Sequence, residues 1–128
     1  MHLLGTELDE DIEALSQAAL RLTAMGPTAV VLTGGRREAP TMVDVVAYNG
    51  EVVLLEVERC STSNVRGTGD TFSAAIASGL AKGLSMLESV SKAQAFTAEA
   101  VYRAASWRLG AGEGPIGHLD HSDIARLD

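Results

Sequence analysis

The chain has 128 residues, 46% of them hydrophobic and 21% charged, which is ordinary for a single globular domain. Its 10 basic and 17 acidic residues leave a net charge of −7, which argues against nonspecific binding to nucleic acid or to an anionic membrane. The single cysteine, Cys60, cannot form an internal disulfide and suits a reducing cytoplasm, and the N-terminal residues lack the pattern of a signal peptide.

The first predicted elements are a helix and a strand. Residues 9–26 predict an amphipathic helix, because apolar side chains recur at steps of three and four residues: Ile12, Leu15, Ala19 and Leu22. The next run reads TAVVLTGG and is apolar up to its two glycines. It predicts a strand that is buried on both faces, as in the centre of a parallel sheet.

A β-hairpin is predicted around Asn49-Gly50. This dipeptide lies between two β-rich runs, and both of its residues tolerate the positive φ that a two-residue hairpin turn requires. The two runs, Met42–Tyr48 and Glu51–Glu58, are therefore expected to pair antiparallel.

Two helices are predicted in the second half of the chain. The first covers residues 70–83, with one apolar face (Phe72, Ala75, Ile76, Gly79 and Leu80) and Gly83 as its stop. Ser85 and Glu88 have the spacing of a capping box, and the long helix after them is expected to reach about Leu109. The tail is glycine-rich, and a short helix is predicted after the glycines. The pattern predicts an α/β fold in which the two closing helices cover a sheet.

The sequence Gly67-Thr68-Gly69-Asp70 precedes the first of these helices. It is not a P-loop, because no lysine follows, and it lacks the third glycine of a dinucleotide fingerprint. Two interpretations stay open on spacing alone: a tight turn with a helix-starting aspartate, and an anion cradle of backbone amides. Phosphoryl transfer to an alcohol needs such amides beside a base for the hydroxyl proton, and Asp70 supplies a carboxylate at that place.

The run RGTGDTFSAAIASGLAKGLSMLESVSKAQAFTAEAV resembles the C-terminal signature of the ribokinase-like superfamily. The resemblance is strongest to the vitamin-kinase branch, the hydroxymethylpyrimidine/phosphomethylpyrimidine kinases and pyridoxal kinases. Three further features agree in order: the helix and strand ending in LTGG, the hairpin, and the tail GEGPIGHL. The resemblance covers nearly the whole chain and implies part of a three-layer αβα fold.

The resemblance also implies the site. Asp70 corresponds to the catalytic base, and the anion hole corresponds to three backbone amides: Gly67, Thr68 and Gly69. The residues expected near ATP are Thr33, Gly34 and Gly35. Mg²⁺ is expected on the ATP phosphates, bound mostly through phosphate and water, and no metal ligand is assigned to this chain. The tail histidines His118 and His121 are interpreted as polar surface, because no full ligand set accompanies them.

Two residues depart from the pyrimidine-kinase pattern. Many pyrimidine kinases have cysteine at the position of Asp70, where pyridoxal and sugar kinases have aspartate, and Thr33 stands where pyrimidine kinases often have lysine. The expected substrate is therefore a vitamin precursor: first the hydroxymethyl or phosphomethyl group of the thiamine pyrimidine, and second pyridoxal or pyridoxine. No nucleic acid or membrane partner is expected.

The chain is about half as long as members of this superfamily. Residues 1–128 are accordingly interpreted as the C-terminal segment of a kinase domain, without most of the residues that hold the vitamin ring. An unpaired strand edge invites pairing with another chain, so a homodimer and a separate N-terminal half are both open. A catalytically silent segment that binds nucleotide or serves in assembly is the alternative function.

Overall fold

The computed structural model of the chain describes residues 11–35 and 39–119. The chain divides into two compact units, Met1–Arg59 and Cys60–Asp128. The first unit contains one helix and three strands: α1 (Ile12–Thr23), β1 (Ala29–Gly35), β2 (Thr41–Tyr48) and β3 (Glu51–Glu58). The second contains two helices: α2 (Thr68–Ala81) and α3 (Met86–Ala104). The first two residues of the predicted N-terminal helix, the predicted tail helix and His121 lie outside the described residues.

The predicted hairpin is confirmed. β2 and β3 pair antiparallel from Tyr48 opposite Glu51 to Thr41 opposite Glu58. Asn49 has φ 52° and Gly50 has φ 78°, the left-handed pair that matches the twist of the flanking strands. A short local signal therefore determined the register of both strands.

The environment of β1 differs from the prediction. β1 pairs antiparallel with β2, and the order of the described sheet is β1-β2-β3. The central strand of this sheet is β2, whose residues from Val43 to Ala47 are all buried, whereas most of β1 is half-buried. An apolar run indicates burial but not the direction of the neighbouring strand, and the neighbour here arrives by a short antiparallel connection.

Helix α1 packs on the sheet through its small and branched side chains. Ala18, Ala19 and Leu22 are buried on the helix. One buried cluster of this unit consists of Ala19, Val45 and Ala47, and half-buried side chains pack against it: Leu15, Leu20, Val30, Leu32 and Val52. Burial of apolar side chains, at roughly 25 cal/mol per Å², is the main stabilising term for such a layer.

Helices α2 and α3 pack closely because one residue at their contact has no side chain. A Cβ at Gly79 of α2 would lie 2.8 Å from Ser89 Oγ of α3. The capping box is confirmed: Ser85 Oγ accepts a hydrogen bond from the Glu88 amide at 3.4 Å, and the Ser85 amide donates to Glu88 Oε2 at 3.0 Å. Leu80, on the predicted apolar face of α2, is 40% exposed.

Helix α3 ends at Ala104, five residues before the predicted end at Leu109. The helix closes with an i→i+3 hydrogen bond from the Trp107 amide to the Ala104 carbonyl at 2.9 Å. The side chain of Asn64, which is 5% exposed, caps this end. Its Nδ2 donates to the carbonyl oxygens of Ala104 at 2.6 Å and Trp107 at 2.9 Å, which are without a further helical partner. Among the described helices, none is long and apolar enough to cross a bilayer.

Candidate active site

The predicted anion hole is a sharp turn at the start of α2. Gly67 is the N-cap residue and has φ 92°, a left-handed conformation that favours glycine. The helix begins at Thr68, two residues earlier than predicted, so Thr68, Gly69 and Asp70 form its first turn. The first three amides of a helix have no helical acceptor, and together they carry the positive end of its dipole.

The amides of this turn differ in their availability to a ligand. The Thr68 amide donates to the Val65 carbonyl at 3.3 Å, and the Thr68 hydroxyl donates to the same oxygen at 3.0 Å. The Gly69 and Asp70 amides have no acceptor among the described residues. Gly69 and Asp70 therefore provide the most available donors of the turn.

Neither the backbone conformation nor the packing of the described residues requires a glycine at position 69. Its φ is not positive, and a Cβ placed on it would meet no described atom within 4 Å. Glycine inside a helix costs about 1 kcal/mol relative to alanine, so an exposed helical glycine without a packing reason calls for another explanation. Close approach of a ligand to the backbone is one, because a Cβ at this position would obstruct it.

Asp70 follows in the same turn, and its side chain is exposed. It has no hydrogen-bond or ion-pair partner within the described ranges, so its carboxylate is available as a proton acceptor. Asp70 lines a groove of about 780 Å³ together with the small residues Ala74 and Ala75, Phe96 of α3 and His118 of the tail. The carboxylate therefore lies at the edge of an open groove.

The tail reaches this turn through one hydrogen bond. His118 Nε2 lies 2.7 Å from the Thr71 hydroxyl, and Thr71 is buried beside Asp70. His118 is exposed, as expected, but it also bonds to the first turn of α2. The sequence analysis missed this contact, since 47 residues separate the two partners.

The predicted nucleotide residues Thr33, Gly34 and Gly35 lie together at the end of β1, in the first unit. Gly34 has φ 83°, and its amide donates to Asp44 Oδ1 at 3.2 Å. Gly35 has a packing reason of its own, because a Cβ there would lie 2.9 Å from the Val43 carbonyl oxygen. Thr33 is exposed. The carboxylate of Asp44 thus fixes the Gly-Gly turn from the neighbouring strand.

No group of three or more metal-ligating side chains occurs in residues 11–35 and 39–119. The turn itself combines unpaired backbone donors with an exposed carboxylate. This combination can hold an anion and accept a proton from a group beside it.

The chain has part of a ribokinase-like α/β fold, which it shares with solved kinase structures. The chain belongs to the phosphomethylpyrimidine kinase family, which matches residues 1–117. A relative named hydroxymethylpyrimidine/phosphomethylpyrimidine kinase, from Rhizobium meliloti, is 34% identical over 117 residues. That match covers 91% of this chain and 44% of the relative.

Two solved structures have a similar fold. The ADP complex of Bacillus subtilis pyridoxal kinase is 32% identical with a TM-score of 0.82, over 97% of this chain and 46% of that one. The pyridoxal kinase of Staphylococcus aureus in complex with AMP-PCP and pyridoxal is 30% identical with a TM-score of 0.80, over 91% of this chain and 43% of that one. The chain therefore spans less than half the length of these relatives.

Proposed function

We propose that this chain is the C-terminal segment of an ATP-dependent kinase that phosphorylates a hydroxymethyl or phosphomethyl group of the thiamine pyrimidine. The observation that carries the proposal is the turn Gly67–Asp70, with its unpaired amides, its unexplained Gly69 and its exposed carboxylate. Family membership over residues 1–117 and the name of the Rhizobium relative support the substrate class.

In this mechanism Asp70 is the catalytic base. Its carboxylate accepts the proton of the attacking hydroxyl as the new oxygen–phosphorus bond forms and the bond between the γ-phosphorus and the oxygen of the leaving ADP breaks. The backbone amides of Gly67, Thr68 and Gly69 neutralise charge on the transferred phosphoryl group, and the Thr68 amide, shared with Val65, contributes least. The carboxylate and the phosphate are both negative, so the mechanism requires that Asp70 face the acceptor oxygen and the amides face the phosphate.

ATP is the proposed phosphoryl donor, and Thr33, Gly34 and Gly35 are proposed to lie beside it. The structures of the Bacillus and Staphylococcus relatives with ADP and AMP-PCP support a nucleotide. Mg²⁺ is proposed to bind through the ATP phosphates and water. The metal would neutralise phosphate charge, and the described part of the chain offers no cluster of ligands to hold it independently.

Pyridoxal or pyridoxine is the second candidate acceptor. Asp70 favours it, because aspartate at this position is the pattern of the pyridoxal kinases that the sequence resembles. The two pyridoxal kinases with TM-scores of 0.82 and 0.80 support the same alternative. Hydroxymethylpyrimidine and pyridoxal both carry a primary hydroxyl on a hydroxymethyl substituent of a heteroaromatic ring, so the same base and anion hole serve either one.

The proposal includes a partner and a place in the cell. Because the chain spans less than half the length of its relatives, we propose that a second polypeptide segment, from a second copy of this chain or a separate N-terminal half, completes the substrate site. The single cysteine is in keeping with a cytoplasmic location.

The test is ATP-dependent phosphorylation by the purified 128-residue chain, with products identified by mass. The acceptors are hydroxymethylpyrimidine, its monophosphate, pyridoxal and a sugar. One phosphorylated product is expected, and Asp70→Asn should lower turnover by roughly 10²- to 10⁴-fold while ATP still binds. Glu51→Gln, which makes the same carboxylate-to-amide change at an exposed position of β3, is the matched control. ATP binding without any product, both from the chain alone and after addition of an N-terminal half of a relative, would favour the silent nucleotide-binding segment, and turnover unchanged in Asp70→Asn would remove Asp70 from the mechanism.

A further inference from the structure

The start of α2 is connected to the tail through Thr71. The Thr71 amide donates to the Gly67 carbonyl at 2.9 Å, and the Thr71 hydroxyl lies 2.7 Å from His118 Nε2. The backbone of Thr71 is thus bonded to the left-handed glycine that opens the turn, and its side chain is bonded to a ring 47 residues away. Thr71 is 9% exposed and His118 is exposed, so the hydrogen bond between them is part-buried.

The segment that carries His118 is itself held on two sides. The Gly117 amide donates to the Ala100 carbonyl of α3 at 2.8 Å, and Ile116 is 2% exposed. The Arg66 amide donates to the Gly114 carbonyl at 3.1 Å, and Arg66 forms a parallel bridge with Pro115. The tail therefore lies fixed between α3 and the loop that leads into the turn, and it offers the ring a rigid support.

We propose that His118 is a positioning residue for the phosphate-facing turn. Its ring restrains Thr71, and through Thr71 it holds the amides of Gly69 and Asp70 in one orientation. The effect of this role on phosphate binding rests on the proposed function. A phosphate is bound well only when these amide donors are preorganised. A displacement of about 1 Å at such a site can cost on the order of 10²-fold in rate.

The contact works with a neutral imidazole in either tautomer. The Thr71 hydroxyl donates to Nε2 when the ring proton is on Nδ1, and it accepts when the proton is on Nε2. Thr71→Val removes the hydroxyl and keeps the shape of the side chain, whereas Thr71→Ser keeps the hydroxyl. His118→Gln retains a hydrogen-bonding side chain, and His118→Ala does not. These pairs separate the loss of the hydrogen bond from the loss of packing.

The experiment measures backbone motion and ATP affinity in the 128-residue chain without an acceptor. ¹⁵N relaxation of the Gly69 and Asp70 amides should show larger nanosecond amplitudes in His118→Ala and Thr71→Val than in the parent chain, His118→Gln or Thr71→Ser. ATP titration, followed at the same two amides, should give affinities weakened by roughly three- to tenfold in the first two variants. Leu119→Ala, an exposed tail change, is the control.

The double variant His118→Ala/Thr71→Val separates positioning from general support by the tail. If one hydrogen bond carries the effect, the double variant binds ATP no more weakly than the worse single variant. Additive losses, or unchanged relaxation at Gly69 and Asp70 in both single variants, would overturn the positioning role. A parent chain that does not bind ATP would overturn the proposed function, and the relaxation comparison would still decide whether His118 orders the turn.

Discussion

The carboxylate of Asp44 on β2 accepts a hydrogen bond from the amide of Gly34 at the end of β1, with 3.2 Å between Oδ1 and N. Asp44 is 5% exposed, and carboxylates are seldom buried to this extent unless they are paired. The Gly34 φ of 83° turns its amide away from the regular ladder, where the register shifts between Leu32 and Gly35. A side chain therefore satisfies the amide that the irregular strand leaves free.

This contact predicts that Asp44→Ala destabilises the chain by about 1–3 kcal/mol, because a half-buried amide loses its acceptor. Asp44→Asn keeps an oxygen at the same place and should cost less. Urea unfolding followed by circular dichroism measures both changes. Glu58→Ala, at an exposed position of β3, is a control for simple loss of a carboxylate from the sheet. Equal costs for Asp44→Ala and Glu58→Ala would contradict a specific role of Asp44 at Gly34.

The Asn64 side chain caps the end of α3, so its removal should lower the free energy of unfolding. The Asn64→Ala variant leaves the carbonyls of Ala104 and Trp107 without their side-chain donor, in a place where Asn64 itself is buried. The expected loss is roughly 2–4 kcal/mol in the free energy of unfolding. Ser63→Ala changes an exposed neighbour and should stay within about 0.5 kcal/mol of the parent chain. A small loss in Asn64→Ala would mean that water replaces the amide at both carbonyls.

The elements specified by short-range chemistry were predictable from the sequence. The Asn49-Gly50 turn determined the hairpin, and the Ser85–Glu88 pair determined the start of α3. The end of α3 was not predictable, because the side chain that caps it comes from Asn64, 40 residues earlier. The antiparallel partner of β1 was also missed, since an apolar run gives no information about strand direction.

The candidate site divides in the same way. Gly67 to Asp70 stood out through their spacing and composition, and the structure places them in a single turn. Asp44 had a signal that was not used, a charged residue inside an otherwise apolar strand. For His118, no sequence signal identified a partner, because its hydrogen bond to Thr71 depends on how the tail folds back. Contacts between distant segments are set by the tertiary fold, and no local pattern encodes them.

The capping box makes the stability of α3 dependent on pH. Hydrogen bonds from the Ser85 side chain and backbone lower the pKa of Glu88 below its ordinary 4.5. Glu88 therefore contributes stability above the pKa that it has in the unfolded chain, and this contribution is lost as the pH falls through its lower folded pKa. Urea midpoints of the parent chain and Glu88→Gln should differ at about pH 7 and converge towards about pH 3. Since every other carboxylate titrates in both chains, a difference that stays constant with pH would contradict the charged cap.

The substitution Gly69→Ala should have opposite effects on the stability of the chain and on its affinity for ATP. Gly69→Ala places a methyl group in open space on a helix, so it should raise the free energy of unfolding by about 0.5–1 kcal/mol. The same methyl group lies where a phosphate is proposed to approach the backbone, so ATP affinity should fall by about tenfold or more. Calorimetric titration with ATP and urea unfolding on one preparation measure both effects.

Gly67→Ala is the matched control: its φ of 92° makes any side chain strained, and it should lower stability by about 1–2 kcal/mol. A Gly69→Ala chain that gains stability and binds ATP as tightly as the parent would show that no phosphate approaches this turn, and a chain that loses stability would show that the glycine serves the fold.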